Sequence, residues 1–103
     1  MRGRFVAAAV RAGELLLARG DAGAARTLGE RALRVDAWCE EAHQLLVSAL
    51  LEAGDAADAR RALRRCLQAL DDLGVPAQPR TLALARRLEV HAPARRDRPR
   101  ASG

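Results

Sequence analysis

Apolar positions recur at helical spacing along most of the chain. Segment 4–19 (RFVAAAVRAGELLLAR) places Phe5, Ala8, Ala9, Ala12, Leu15 and Leu16 at the i, i+3, i+4, i+7 recurrence of an amphipathic helix, which Gly20 ends. Asp21 suits the N-cap of a second helix over 22–35, because its short carboxylate can accept from the unpaired N–H groups of the first turn. The inward stripe of that helix reads Ala25, Leu28, Ala32 and Leu33. Asp36 is read as the cap of a third helix over about 38–53, with Glu40 and Glu41 near the positive end of its dipole and Gly54 closing it. A fourth helix over 56–73 turns Ala59, Leu63, Cys66, Leu67 and Leu70 inward and stops at Gly74, expected in the left-handed conformation. Pro76 and Pro79 punctuate the next connection, and Pro79 fits the first turn of a fifth helix over about 79–90. Residues 91–103 are rich in Pro and Arg without apolar periodicity, so a folded unit over 1–90 and a disordered tail are expected. β-branched residues are few and scattered, which leaves no window with the alternation of a strand. The fold class is all-α.

These helices repeat. GDAGAARTLGERAL from Gly20 aligns with GDAADARRALRRCL from Gly54 at an offset of 34 residues, and the same offset pairs Ala8 with Ala42, Leu16 with Leu50, Leu17 with Leu51, Ala25 with Ala59, and Leu33 with Leu67. That period is the tetratricopeptide one. A tetratricopeptide-like helical repeat of about five helices in antiparallel pairs follows, with Gly13 and Gly29 at close helix–helix contacts.

Composition narrows the reading further. The 103 residues have room for one core, and with Phe5 and Trp38 the only aromatics that core is aliphatic. The net charge of +5 resembles a nucleic-acid signal until it is divided: residues 91–103 hold +3 and leave +2 for residues 1–90. Cys39 and Cys66 fall inside helical patterns and are read as reduced thiols. Phe5–Val10 is too short for a signal-peptide core or a membrane span, so no membrane association and a cytoplasmic location are expected.

A narrower resemblance covers about 70 of the 103 residues, from Ala18 to Leu88. The runs GDAGAARTLGERALRVDAWCEEAHQLL, ALLEAGDAADARRALRRCLQALDDLGV and PRTLAL resemble the bacterial transcriptional activator domain of antibiotic-regulatory-protein type regulators. The most specific correspondence is Asp36, Glu40, Glu41, Ala42, His43, Leu45 and Leu46, followed by Leu73, Gly74, Val75, Pro79 and Thr81. Ala37 departs from a usual proline, Leu63 and Ala85 from positions often aromatic, and Arg80 from a common glutamate. Relative to that family the chain starts well inside the domain and lacks the winged helix-turn-helix. The resemblance therefore implies a regulatory role in transcription through protein contacts, without the DNA-reading part.

No residue constellation points to catalysis. His43 and His91 have no serine or cysteine partner in a nucleophile motif, the acidic residues sit at helix ends, and the glycines form no phosphate loop, so the chain is read as not an enzyme and as needing no cofactor. Cys39, His43 and Cys66 offer three ligands where structural zinc takes four, so no metal is expected. Arg60, Arg61, Arg64 and Arg65 form a basic face on the fourth helix, read first as solvated surface and alternatively as a contact for an acidic partner or DNA phosphate.

Turning Ala12, Leu16, Leu46 and Leu50 inward leaves Val10, Glu14 and Leu17 of the first helix and Gln44, Ser48 and Leu51 of the third on the opposite side, where a tetratricopeptide-like stack has its concave groove. Leu17 and Leu51, surplus to their helices' core stripes, mark a protein-interaction site, with the fifth helix or a second copy of the chain as the alternative cover. The expected function is a regulatory protein-interaction module of a transcription activator. Its partner would be the transcription machinery or a regulator's other domains, a homodimer is an open alternative, and no sequence-specific DNA binding is expected. The rivals are a generic helical-repeat adaptor and a weak nucleic-acid binder using the arginine face and tail.

Overall fold

The computed structural model of the protein describes residues 2–91, with side chains from Gly3 onward. The expected tail lies outside the described residues apart from His91. Five helices follow one another: α1 (Arg2–Ala18), α2 (Ala22–Val35), α3 (Glu40–Glu52), α4 (Ala56–Leu73) and α5 (Pro79–Leu88), with no strand among the described residues.

Local chemistry sets the helix ends. The two Gly-Asp turns are atomically equivalent: Asp21 N–H donates to the Leu16 carbonyl and Asp55 N–H to the Leu50 carbonyl, each at 2.9 Å. Gly20 and Gly54 carry φ of 86° and 81°, left-handed values that cost a glycine nothing. Each aspartate then caps the next helix, Asp21 Oδ1 accepting from Ala24 N–H and Asp55 Oδ1 from Asp58 N–H, both at 3.1 Å. Gly74 ends α4 at φ 71°, as its position predicts. Glu89 ends α5 at φ 57°, an unusual value for a non-glycine residue, and Val90 N–H closes that turn on the Ala85 carbonyl at 2.9 Å.

One helix start is corrected. Asp36 does not cap α3; its N–H donates to the Ala32 carbonyl at the end of α2, and its Oδ1 accepts from Trp38 N–H at 3.1 Å. It therefore shapes the connection, and α3 begins only at Glu40, after Cys39.

The helices pack in sequence, α1 on α2, α2 on α3 and α3 on α4, while α5 lies against both α3 and α4. The small stripe of α2, Ala25, Gly29 and Ala32, is buried, and these residues meet Ala49, Leu46 and Ala42 of α3. A leucine-rich core joins α3, α4 and α5 around Val47, Leu50, Leu63, Cys66, Leu67 and Leu84.

The inward face of α1 is also corrected. Of the expected stripe Ala9 is buried and Leu16 half-buried, whereas Phe5, Ala8, Ala12 and Leu15 are exposed, Leu15 to 59 %, and Val6 and Gly13 are buried instead. The repeat explains the shift. At the 34-residue offset Ala8, Ala12 and Leu15 correspond to Ala42, Leu46 and Ala49, the α3 residues that pack on the helix before them, and among the described residues α1 has no preceding helix.

Glycines 13 and 29 both sit at helix crossings, in different surroundings. A Cβ on Gly13 would collide with Leu45 Cδ2 and fall 3.2 Å from Leu45 Cγ, and Leu45 is fully buried, so its side chain would have to shift within the core. A Cβ on Gly29 would meet Leu46 at 3.4 Å, an ordinary contact. Alanine gains about 1 kcal/mol over glycine in a helix interior, and overpacking costs about 1–3 kcal/mol. Urea denaturation should accordingly show Gly29→Ala stabilised by about 0.5–1 kcal/mol and Gly13→Ala destabilised by about 1 kcal/mol. Equal midpoints for the two variants would contradict this crossing geometry.

Candidate functional site

The first turn of α3 carries the acidic residues that helix polarity favours, and the fold gives them a further task. Glu40 is buried, and its Oε2 accepts from the Thr81 hydroxyl at 2.6 Å and from Gln78 N–H at 2.7 Å, both at the start of α5. Gln44, one turn on, donates through Nε2 to Thr81 Oγ1 and to Gln78 Oε1, each at 2.9 Å. Gln78 Nε2 in turn donates to Glu41 Oε2 at 3.0 Å, and this amide holds the Glu41 carboxyl below its ordinary range. The polar atoms of α3 that burial would otherwise leave unpaired are thus matched by Gln78 and Thr81. At the other end of α5, Arg60 Nε donates to the Leu88 carbonyl at 3.2 Å, a cation at a helix C-terminus.

The structure draws the expected groove residues into this arrangement. Gln44 is buried under α5, and Glu14 forms an ion pair with Arg80 at 2.9 Å, so α5 takes up two of the six from within the chain. Leu17 and Leu51 are half-buried, Leu17 against Ala25, Leu45 and Ala49 and Leu51 against the leucine-rich core, which corrects the reading that both are surplus to the fold. Val10 packs partly against Val6, Ala9 and Ala32, and Ser48 stays half-exposed. Periodicity on a single helix carried no signal for α5 crossing this side; the polar residues Gln44 and Thr81, in otherwise apolar faces, were the available clue.

His43 is buried, with Nε2 2.8 Å from the Ala37 carbonyl. A carbonyl only accepts, so Nε2 carries the proton. Burial lowers the His43 pKa below 6.5, the Ala37 contact opposing and the nearby Arg65 adding to the effect. Cys66 lies in the core, where burial, reinforced by the Glu40 charge, pushes its thiol up to about 12. Burial also raises the half-buried Cys39 thiol. Both sulfurs are poor nucleophiles at neutral pH. Among the described residues no group of three or more His, Cys, Asp or Glu side chains is placed to hold a metal ion. No helix there is long and apolar enough to cross a membrane.

Paired antiparallel helices, joined by equivalent Gly-Asp turns and stacked at a 34-residue period, define a helical-repeat scaffold of the kind that mediates protein–protein interaction. Residues 16–78 match the family described as tetratricopeptide repeat, and the chain belongs to that family. Nothing among curated proteins or solved structures matches the chain.

Two outcomes follow from this geometry. Thr81→Val keeps the side-chain shape but leaves the Glu40 carboxylate short of a donor and Gln44 short of an acceptor, which should cost about 1–3 kcal/mol and speed amide exchange in α5; unchanged stability and exchange would show that the network does not hold α5. For His43, both folded and unfolded chains are neutral well above pH 6.5, and below it the unfolded chain binds a proton that the fold resists. Stability should therefore fall as pH drops from about 7 to about 5, and His43→Gln should flatten that slope. Parallel pH profiles for the two proteins would contradict it.

Proposed function

We propose that this chain is a non-catalytic, tetratricopeptide-type regulatory module of a bacterial transcription activator, working through protein contacts. The supporting observation is that the residues carrying the activator-domain resemblance converge. Asp36 shapes the turn into α3, Glu40 and Glu41 reach the Gln78–Thr81 segment, and His43 braces the same turn through the Ala37 carbonyl. A generic helical hairpin needs none of these pairings. The partner is the transcription machinery or another domain of a regulator, and the half-exposed parts of Val10, Leu17, Ser48 and Leu51 remain a contact area on the concave side. Self-association is the second way that side could be used.

Fused to a heterologous DNA-binding domain and placed upstream of a bacterial promoter, the chain should raise reporter transcription several-fold over the DNA-binding domain alone. Thr81→Val, which loosens α5, should lower that increase. A wild-type fusion that binds its operator yet leaves transcription unchanged would reject the transcription role and leave the repeat as an adaptor.

A further inference from the structure

Helices α2 and α4 both pack on α3, yet no Cα of one comes within 8 Å of a Cα of the other. The strip of α3 between them is the floor of a groove. Two clefts of about 670 and 510 Å³ lie along it and share Glu30, Leu46 and Arg65, so they run into one another. The floor is largely aliphatic, from Leu33, Leu46, Leu50 and Ala62, with His43 also lining it. Trp38 stands at one end, 54 % exposed. Along α4 the groove extends from Asp58 to Asp72, roughly 20 Å at 1.5 Å per residue.

Its walls carry more positive charge than their own carboxylates offset. Arg26 is paired with Glu30 and Arg61 with Asp58, each within its own helix, and Asp72 accepts from Gln68 Nε2 at 2.9 Å. Arg34, Arg64 and Arg65 have no carboxylate partner among the described residues. Three unpaired guanidinium groups beside an aliphatic trough and an exposed indole suit a ligand that is acidic on its flanks and apolar in its middle. Nucleic acid fits less well, since a phosphate backbone gains nothing from the aliphatic floor.

We propose that this groove docks an acidic segment of a partner protein, its aromatic or bulky aliphatic side chains seated on the Leu33–Leu46–Leu50 floor beside Trp38 and its carboxylates on Arg34, Arg64 and Arg65. The inference rests on the protein-interaction reading of the repeat and is independent of its transcription role.

The chain reports on the groove directly, because Trp38 is its only tryptophan and it has no tyrosine. The probe is a helical peptide of about 12 residues with Leu and Phe at i, i+3, i+4 and i+7 and Glu elsewhere. It should shift Trp38 emission to the blue and bind with an affinity that falls as salt rises. Polyglutamate of equal length, and the same peptide with Lys for Glu, should bind at least tenfold more weakly. Arg34→Glu with Arg65→Glu should weaken binding at least tenfold, whereas Arg4→Glu with Arg11→Glu on α1, an equal change in net charge, should leave it within twofold; circular dichroism checks that both variants stay helical. Equal loss in the two variants, unaltered Trp38 emission, or duplex DNA competing with the same Arg34/Arg65 dependence would overturn the proposal. In the reporter assay, a wild-type fusion that fails to activate while peptide binding persists rejects the transcription role alone. Peptide binding that survives the Arg34/Arg65 reversal rejects the groove alone.

Discussion

The burial of α3 is the constraint on which the rest of this structure depends. Its neighbour α1 buries one face, whereas α3 buries two: Ala42, Leu46 and Ala49 against the small stripe of α2, and Val47 and Leu50 in the core shared with α4 and α5. A helix enclosed in this way cannot send its polar residues to water. Glu40, His43 and Gln44 all lie within its buried stretch, and each needs a partner inside the protein. Ala37, Gln78 and Thr81 supply those partners. The docking of α5 is the consequence, so its place is set by hydrogen-bond satisfaction together with the burial of Leu84 and Leu88.

The two helix pairs use the same backbone plan with different side-chain volumes. Around α1 and α2 the buried residues are largely Ala and Gly, so the helices approach closely and have little volume to spare, as Gly13 against Leu45 illustrates. Around α3, α4 and α5 they are mostly Leu, and the core is deeper. Because α2 is tucked close to α3 and α4 stands off from α2, the intervening strip of α3 stays open on the side away from α5. One side of the repeat is thereby partly occupied by the chain's own fifth helix, and the other offers a groove with arginine walls.

Chemistry inside the fold is conservative. Burial raises the pKa of both thiols, the buried histidine donates to a backbone carbonyl while burial disfavours its charged form, and the buried carboxylate accepts two hydrogen bonds on Oε2. Such groups stabilise and specify a structure. The arginines of α4 divide accordingly: Arg60 is spent on the end of α5, Arg61 pairs with Asp58, and Arg64 and Arg65 face the groove.

What the sequence determined by itself is what short-range chemistry decides. The Gly-Asp turns, the aspartate caps of α2 and α4, the left-handed Gly74, Pro79 at the start of α5 and the inward stripe of α4 all depend on residues within a few positions of one another, and all are present; the 34-residue repeat is the same local pattern written twice. Tertiary structure alone decided the phase of α1, the role of Asp36, the partners of Glu40 and Gln44, and the course of α5 across the expected groove. In α1, Phe5, Ala8, Ala12 and Leu15 share helical spacing with the expected and buried Ala9 as fully as Val6 and Gly13 do, and only the presence of α2 and α3 on one side determines which set is buried. Periodicity records that a helix has an apolar face. Which face is covered, and by what, is settled by neighbours distant in sequence, whose packing volume and hydrogen-bonding needs no local window contains.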